Sequence, residues 1–83
     1  MQKIITEKTF SENLKKLRKE KGLTQEQVVN QLQLLGSPIS RSTYSLIEMG
    51  RGNIFISDLV GLQKILDVDF KAFFKEISVS REN

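Results

Sequence analysis

Thr24-Gln25-Glu26-Gln27, and then Ser40-Arg41-Ser42-Thr43-Tyr44-Ser45-Leu46-Ile47-Glu48-Met49-Gly50, are the stretches that decide the fold. Thr24 with Gln27 has the spacing of a capping box, in which two side chains satisfy the exposed backbone N–H groups of a helix start. Ser40 is a good N-cap for the second stretch, and Gly50 closes it at the position where helices turn left-handed. The pair reads as two short helices joined by a turn. Helix 2 carries Val28, Val29, Leu32 and Leu35 at helical spacing, the wide apolar face of a helix held between others. Pro38 disfavours a helical Ser37, so Gly36-Ser37-Pro38 ends it. The segment Gln33 to Pro38 either extends helix 2 by a turn or forms a loop. In helix 3, Ile39 and Tyr44 have the spacing of a hydrophobic staple, and Tyr44 and Ile47 face the core together.

Upstream, Thr9-Phe10-Ser11-Glu12 has capping-box spacing with Thr9 as N-cap. Phe10, Leu14 and Leu17 recur at helical spacing and Gly22 supplies the stop, which predicts helix 1 over about residues 10–21. Downstream, Gly52 and Asn53 make a turn. Ile56, Leu59, Leu62 or Gln63, and Leu66 predict helix 4 over about residues 56–66. Asp69 is the expected N-cap of helix 5, with Phe70, Phe73, Phe74 and Ile77 at i, i+3, i+4 and i+7. Ile54-Phe55-Ile56 could be extended but is too brief to build a sheet. Ser78 to Asn83 reads as a frayed tail. The expectation is an all-α, compact five-helix domain with no sheet, spanning residues 1–83 with its core at about 9–77.

Composition narrows the function. Eighty-three residues make one domain with a modest core. There is no Cys, hence no disulfide framework or thiolate metal site, and no His, the commonest general base and transition-metal ligand. Asp67 and Asp69 lie close together, but a helix end and an N-cap explain both. No nucleophile–base constellation and no phosphate-cradling glycine loop is present, so neither an enzyme nor a cofactor or metal is expected. No apolar run approaches a membrane span and Met1 to Phe10 lacks the apolar core of a secretory signal, so the expected location is cytoplasmic. Net charge is +3, and it is uneven. Residues 1–25 hold seven of the thirteen Lys and Arg, with Lys15, Lys16, Arg18, Lys19 and Lys21 clustered. That cluster suits a polyanion, though a solvated helix face looks the same.

Taken together the pattern resembles the phage Cro and lambda-repressor type of helix-turn-helix DNA-binding proteins, the xenobiotic response element family. The matching residues are Leu17-Arg18 with Gly22-Leu23-Thr24-Gln25, Ile39-Ser40-Arg41-Ser42-Thr43 with Ile47-Glu48 and Gly50, and Leu59, Leu66-Asp67-Val68 and Phe73. The likeness covers about residues 10–75. It implies a repressor-like domain with the helix-turn-helix at helices 2 and 3. Helix 3 then enters the major groove of double-stranded DNA, while the start of helix 2 sits on the phosphate backbone. By that likeness Arg41, Ser42, Ser45 and Leu46 face base edges, and Gln25, Thr43, Arg51 and Asn53 reach phosphate. Arg41 can donate twice to guanine or bind phosphate, and Leu46 can pack on a thymine methyl or stay an exposed leucine. Glu48, an acid on a helix aimed at a polyanion, is expected to pair with Arg18, as the matching residues do in the family.

The resemblance implies a sequence-specific transcriptional regulator, a repressor binding a palindromic operator as a homodimer. No effector domain is expected, so control is expected to come from its concentration or from a regulatory protein partner. Phe70 and Phe73 match core-facing family positions, which leaves Phe74 and Ile77 as the expected dimer surface. The alternative is a protein–protein adaptor or antitoxin-like module on the same scaffold, motivated by Arg41 being the one basic residue of helix 3.

Overall fold

The computed structural model describes residues 3–5 and 7–77. Four α-helices are present among them: α1 Lys8–Glu20, α2 Gln25–Leu34, α3 Arg41–Glu48 and α4 Ile56–Leu66. A short 3-10 helix, Phe70–Phe74, follows α4. Two three-residue strands, β1 Lys3–Ile5 and β2 Asn53–Phe55, pair antiparallel, with Lys3 opposite Phe55 and Ile5 opposite Asn53. The tail from Ser78 to Asn83 lies outside the described residues.

The middle of the chain follows its local signals. Thr24 Oγ1 accepts from the Gln27 backbone N–H at 3.1 Å, and Gln27 Oε1 accepts from the Thr24 N–H at 2.9 Å, so both halves of the capping box form. Ser40 Oγ accepts from the Thr43 N–H at 3.1 Å and caps α3. The long connection resolves into an extra turn of α2 and a left-handed stop. Gly36, at φ +102°, lets the Ser37 N–H reach Leu32 O and its own N–H reach Gln33 O, both at 3.0 Å. Ser37, Pro38 and Ile39 then carry the chain to α3. Gly50 has a second reason to be glycine besides its φ of +73°. A Cβ there would stand 3.3 Å from Lys8 Cα at the start of α1.

One core joins all four helices. Phe10 and Leu14 of α1, Val28, Val29 and Leu32 of α2, Tyr44 and Ile47 of α3, and Leu59, Leu62 and Leu66 of α4 are buried in it, with Ile39, Ile54 and Phe73. Gly61 lets α4 approach α2 closely, since a Cβ there would lie 2.9 Å from Leu32 Cδ2. Gln63 finds its partner in Val68, donating from Nε2 to the carbonyl at 2.8 Å. The deeply buried Ser11 donates from Oγ to Ile47 O and ties α1 to the end of α3.

Five expectations need correction. The described residues form four α-helices, because the expected fifth is only the 3-10 helix; Asp69 does cap it, accepting from the Lys71 N–H at 2.9 Å. Of its aromatics only Phe73 is fully buried, and Phe70 is 40% exposed. A sheet exists: Ile54 and Phe55 are extended, and Asn53 starts a strand instead of finishing a turn, because residues 3–5 supply the missing partner. Thr9 is not the N-cap of α1, which starts one residue before it and has Glu7 at the cap position with no side-chain hydrogen bond. Leu35 leaves the apolar face of α2 where the left-handed stop begins, and is 59% exposed.

Candidate nucleic-acid interface

The interface is built on a buried polar knot. Arg18 of α1 donates from Nε to Glu48 Oε2 at 2.7 Å and from Nη2 to Glu48 Oε1 at 3.0 Å, a bidentate pair. Its Nη1 donates to Leu23 O at 2.8 Å, in the turn before α2. Tyr44 Oη donates to Glu48 Oε2 at 2.5 Å from one turn earlier in α3. Gln25, the first residue of α2, donates from Nε2 to Glu48 Oε1 at 3.0 Å. Three helices thus converge on one carboxylate, and no buried side-chain polar atom among the described residues lacks a partner.

The electrostatics follow from that geometry. Burial alone would raise the Glu48 carboxyl, but the hydrogen bonds from Arg18, Tyr44 and Gln25 outweigh it and hold its pKa below the usual carboxylate range. The hydrogen bond to Glu48 keeps the Arg18 guanidinium charged, with its pKa raised. Burial, and then the hydrogen bond to Glu48, push the Tyr44 hydroxyl well above its ordinary value. Arg18 belongs to this knot and not to the basic cluster on α1, where Lys15, Lys16, Lys19 and Lys21 remain exposed.

With α3 fixed by its acid, its outer face is determined. Arg41, Ser42 and Leu46 are exposed and Ser45 is half-buried. They fall at i, i+1, i+4 and i+5, along one side of the helix. Met49 at the C-cap, which the sequence reading passed over, continues that side and is exposed. Thr43 is exposed, and its hydroxyl accepts from Ser40 Oγ at 3.1 Å, within the cap of α3. Gln25 at the start of α2 is half-buried and touches the same face: its Oε1 accepts from Arg41 Nε at 3.2 Å. Arg51 and Asn53 are exposed in the segment after Gly50.

This face carries one strong charge, several small hydroxyls and an apolar end. Beside it, α2 presents a capped N-terminus whose backbone N–H groups and dipole favour an anion. The arrangement can hold a phosphate at α2 while α3 offers donors and an apolar contact to base edges.

The helix-turn-helix domain family matches residues 9–70. The chain belongs to that family. The match runs from the first turn of α1 to the start of the 3-10 helix, and so includes α2, the connection over residues 35–40 and α3. A Bacillus subtilis (strain 168) protein named as an uncharacterized HTH-type transcriptional regulator, YqaE, is 38% identical over 66 residues, which are 80% of this chain and 53% of that protein. The chain therefore spans about half the length of this curated relative. Among the described residues no helix is long and apolar enough to cross a membrane, and no group of His, Cys, Asp and Glu could hold a metal ion.

The family resemblance implied a pair of Arg18 and Glu48, and the packing of α1 against α3 places them in direct contact. It missed Tyr44 and Gln25 as further partners of the same carboxylate. Tyr44 had a signal, since i and i+4 share a helix face. Gln25 had none, because its contact depends on the angle between α2 and α3.

Proposed function

We propose that this chain is a sequence-specific DNA-binding transcriptional regulator of the Cro and lambda-repressor plan, a cytoplasmic repressor that performs no catalysis and occupies a palindromic operator as a homodimer. The observation that carries the reading is the outer face of α3, locked through Glu48 to both α1 and α2 and bordered by the capped start of α2. A rigid face of this kind keeps base-reading side chains in register with the phosphate contacts that position them. Arg41, Ser42, Ser45 and Leu46 read base edges in this proposal, and Gln25, Thr43, Arg51 and Asn53 contact phosphate. The name of the Bacillus subtilis relative, a transcriptional regulator, agrees with it. The proposal includes a regulatory protein partner.

Selection of bound sequences from a random DNA pool tests the reading. The expected result is a two-fold symmetric consensus with half-sites about 34–36 Å apart. Recovery of no consensus rejects it.

The adaptor or antitoxin-like reading keeps one observation in its favour: Arg41, the one basic residue of α3, rests against Gln25 of its own chain. Salt separates the two. DNA affinity falls on a log–log plot with a slope of about −0.9 per phosphate neutralised, whereas binding to a neutral protein surface lacks that dependence.

A further inference from the structure

The N-terminal segment braces the loop after α3 at both of its ends. The loop begins at Gly50, which packs on the start of α1; a Cβ there would stand 3.3 Å from Lys8 Cα. It ends in β2, Asn53–Phe55, which pairs with β1, Lys3–Ile5. Between these points the chain folds back over the end of α3. The Arg51 N–H donates to Leu46 O at 3.0 Å, and a Cβ at Gly52 would lie 3.3 Å from the Ile47 nitrogen. Arg51 and Asn53 are both exposed in this stretch.

Pairing with β1 fixes which way Asn53 points. Successive residues of a strand face opposite sides, so a slip of one residue would exchange them. With Ile5 opposite Asn53 and Ile4 opposite Ile54, Ile54 is buried in the core while Asn53 and Phe55 face outward. Ile54 anchors β2 at one point, and a strand this short does not hold its course by itself. β1 gives it a second constraint. A loop ordered before binding also spares the complex the entropy of ordering it.

We propose that residues 3–5 are a positioning strap for this loop, pairing with β2 so that Arg51 and Asn53 are held ready for phosphate. This rests on the DNA-binding reading above and gives a role to a part of the chain which that reading leaves without one. The backbone of the strap is committed to β2, so it acts through the loop and not by touching DNA. Phosphate contacts carry no sequence information, so the strap sets affinity and leaves base choice to α3.

The test compares wild type with a chain lacking residues 2–6, each with and without Arg51→Ala plus Asn53→Ala. In the free protein, amide exchange should show the shortened chain losing protection over residues 53–55 and keeping it in α3. On the selected consensus and its single-base variants, the shortened chain should lose about three- to tenfold in affinity, the worth of one hydrogen bond, evenly across sequences. Its salt slope should be flatter by up to about 0.9, the share of one phosphate. In the Arg51→Ala, Asn53→Ala background the deletion should cost nothing more. Lys3→Ala, which removes the charge of the arm and keeps its backbone, should bind as wild type does. Unchanged affinity after deletion, or a loss confined to particular base pairs, overturns the proposal. A loss that persists in the Arg51→Ala, Asn53→Ala background, or that Lys3→Ala reproduces, overturns it too and makes the arm a direct DNA contact. Ile4→Gly with Ile5→Gly keeps every charge and weakens the strand, and takes the same readings if the shortened chain does not fold. A chain that binds no DNA, even with its β2 exchange altered, rejects the function and the strap together.

Discussion

Asn13 and Phe73 lie sixty residues apart and are joined directly: Asn13 Nδ2 donates to Phe73 O at 2.9 Å, and also to Lys75 O at 2.8 Å. One amide on α1 thus satisfies two carbonyls at the end of the 3-10 helix, while the Phe73 ring fills the core beside Phe10, with centroids 6.0 Å apart. This is how an element too short to be stable alone stays in place. Asn13→Ala should therefore lower stability by about 1–2 kcal/mol, the sum of one part-buried bond and one exposed bond. Urea unfolding gives the loss, and amide exchange should show residues 70–77 opening first. A variant as stable as wild type, with those amides equally protected, removes Asn13 from this role.

What the sequence made legible was whatever is local. The caps at Thr24 and Ser40 and the stops at Gly22 and Gly50 are set by residues within one turn of each other, so α2 and α3 could be placed before any packing was known. The pairing of Arg18 with Glu48 came from the resemblance, which carries tertiary information that spacing lacks. The rest depended on distant chain. Asn53–Phe55 becomes a strand only because residues 3–5 return to pair with it. Phe70, Phe73, Phe74 and Ile77 have helical spacing, yet only Phe73 is fully buried, and with so little apolar face to bury the segment closes as a single tight turn of 3-10 helix. The Gln25 contacts to Glu48 and Arg41 cross between helices and have no sequence signature.

Glu48→Ala should be severe. Arg18 stays buried in the variant with its charge unpaired, and Tyr44 and Gln25 each lose an acceptor. Breaking a buried pair from one side costs about 3–5 kcal/mol. Chemical unfolding measures it, and a loss within the scatter of surface substitutions would contradict the role of the knot. Glu48→Gln, which keeps the shape and can still accept from Tyr44, should lose less.

Stability should fall at both ends of the pH scale, through two residues of the same knot. The Glu48 pKa is depressed in the folded state, so its contribution is complete above its unfolded value of about 4.3 and disappears as pH falls through the native value. The Tyr44 pKa is raised, so its contribution is complete below its unfolded value of about 10 and declines as pH rises beyond that. Melting temperatures recorded across pH should show an acid limb that flattens in Glu48→Gln and an alkaline limb that flattens in Tyr44→Phe. Limbs unchanged in those variants would assign the dependence to other groups.

The last prediction concerns assembly. A single small module buries only about 600–1,000 Å² on DNA, so useful affinity for a specific site calls for two modules on two half-sites. Phe74 and Ile77, the joining surface expected from the sequence, sit in different environments. Phe74 is 42% exposed, its ring tilted against Phe10 at a centroid distance of 5.8 Å, and the exposed Phe70 lies 6.4 Å from the buried Phe73 ring. Ile77 is half-buried and packs on the core. Phe74→Asp places a charge on the expected dimer surface at little cost to the fold, whereas Ile77→Asp puts one against the core. Sedimentation equilibrium should accordingly give a dimer for wild type and a folded monomer for Phe74→Asp, with operator affinity much reduced. Ile77→Asp should lower the unfolding midpoint as well. A wild-type chain that remains monomeric at high micromolar concentration, or a Phe74→Asp chain that still dimerises, would place the two-fold contact elsewhere or remove it.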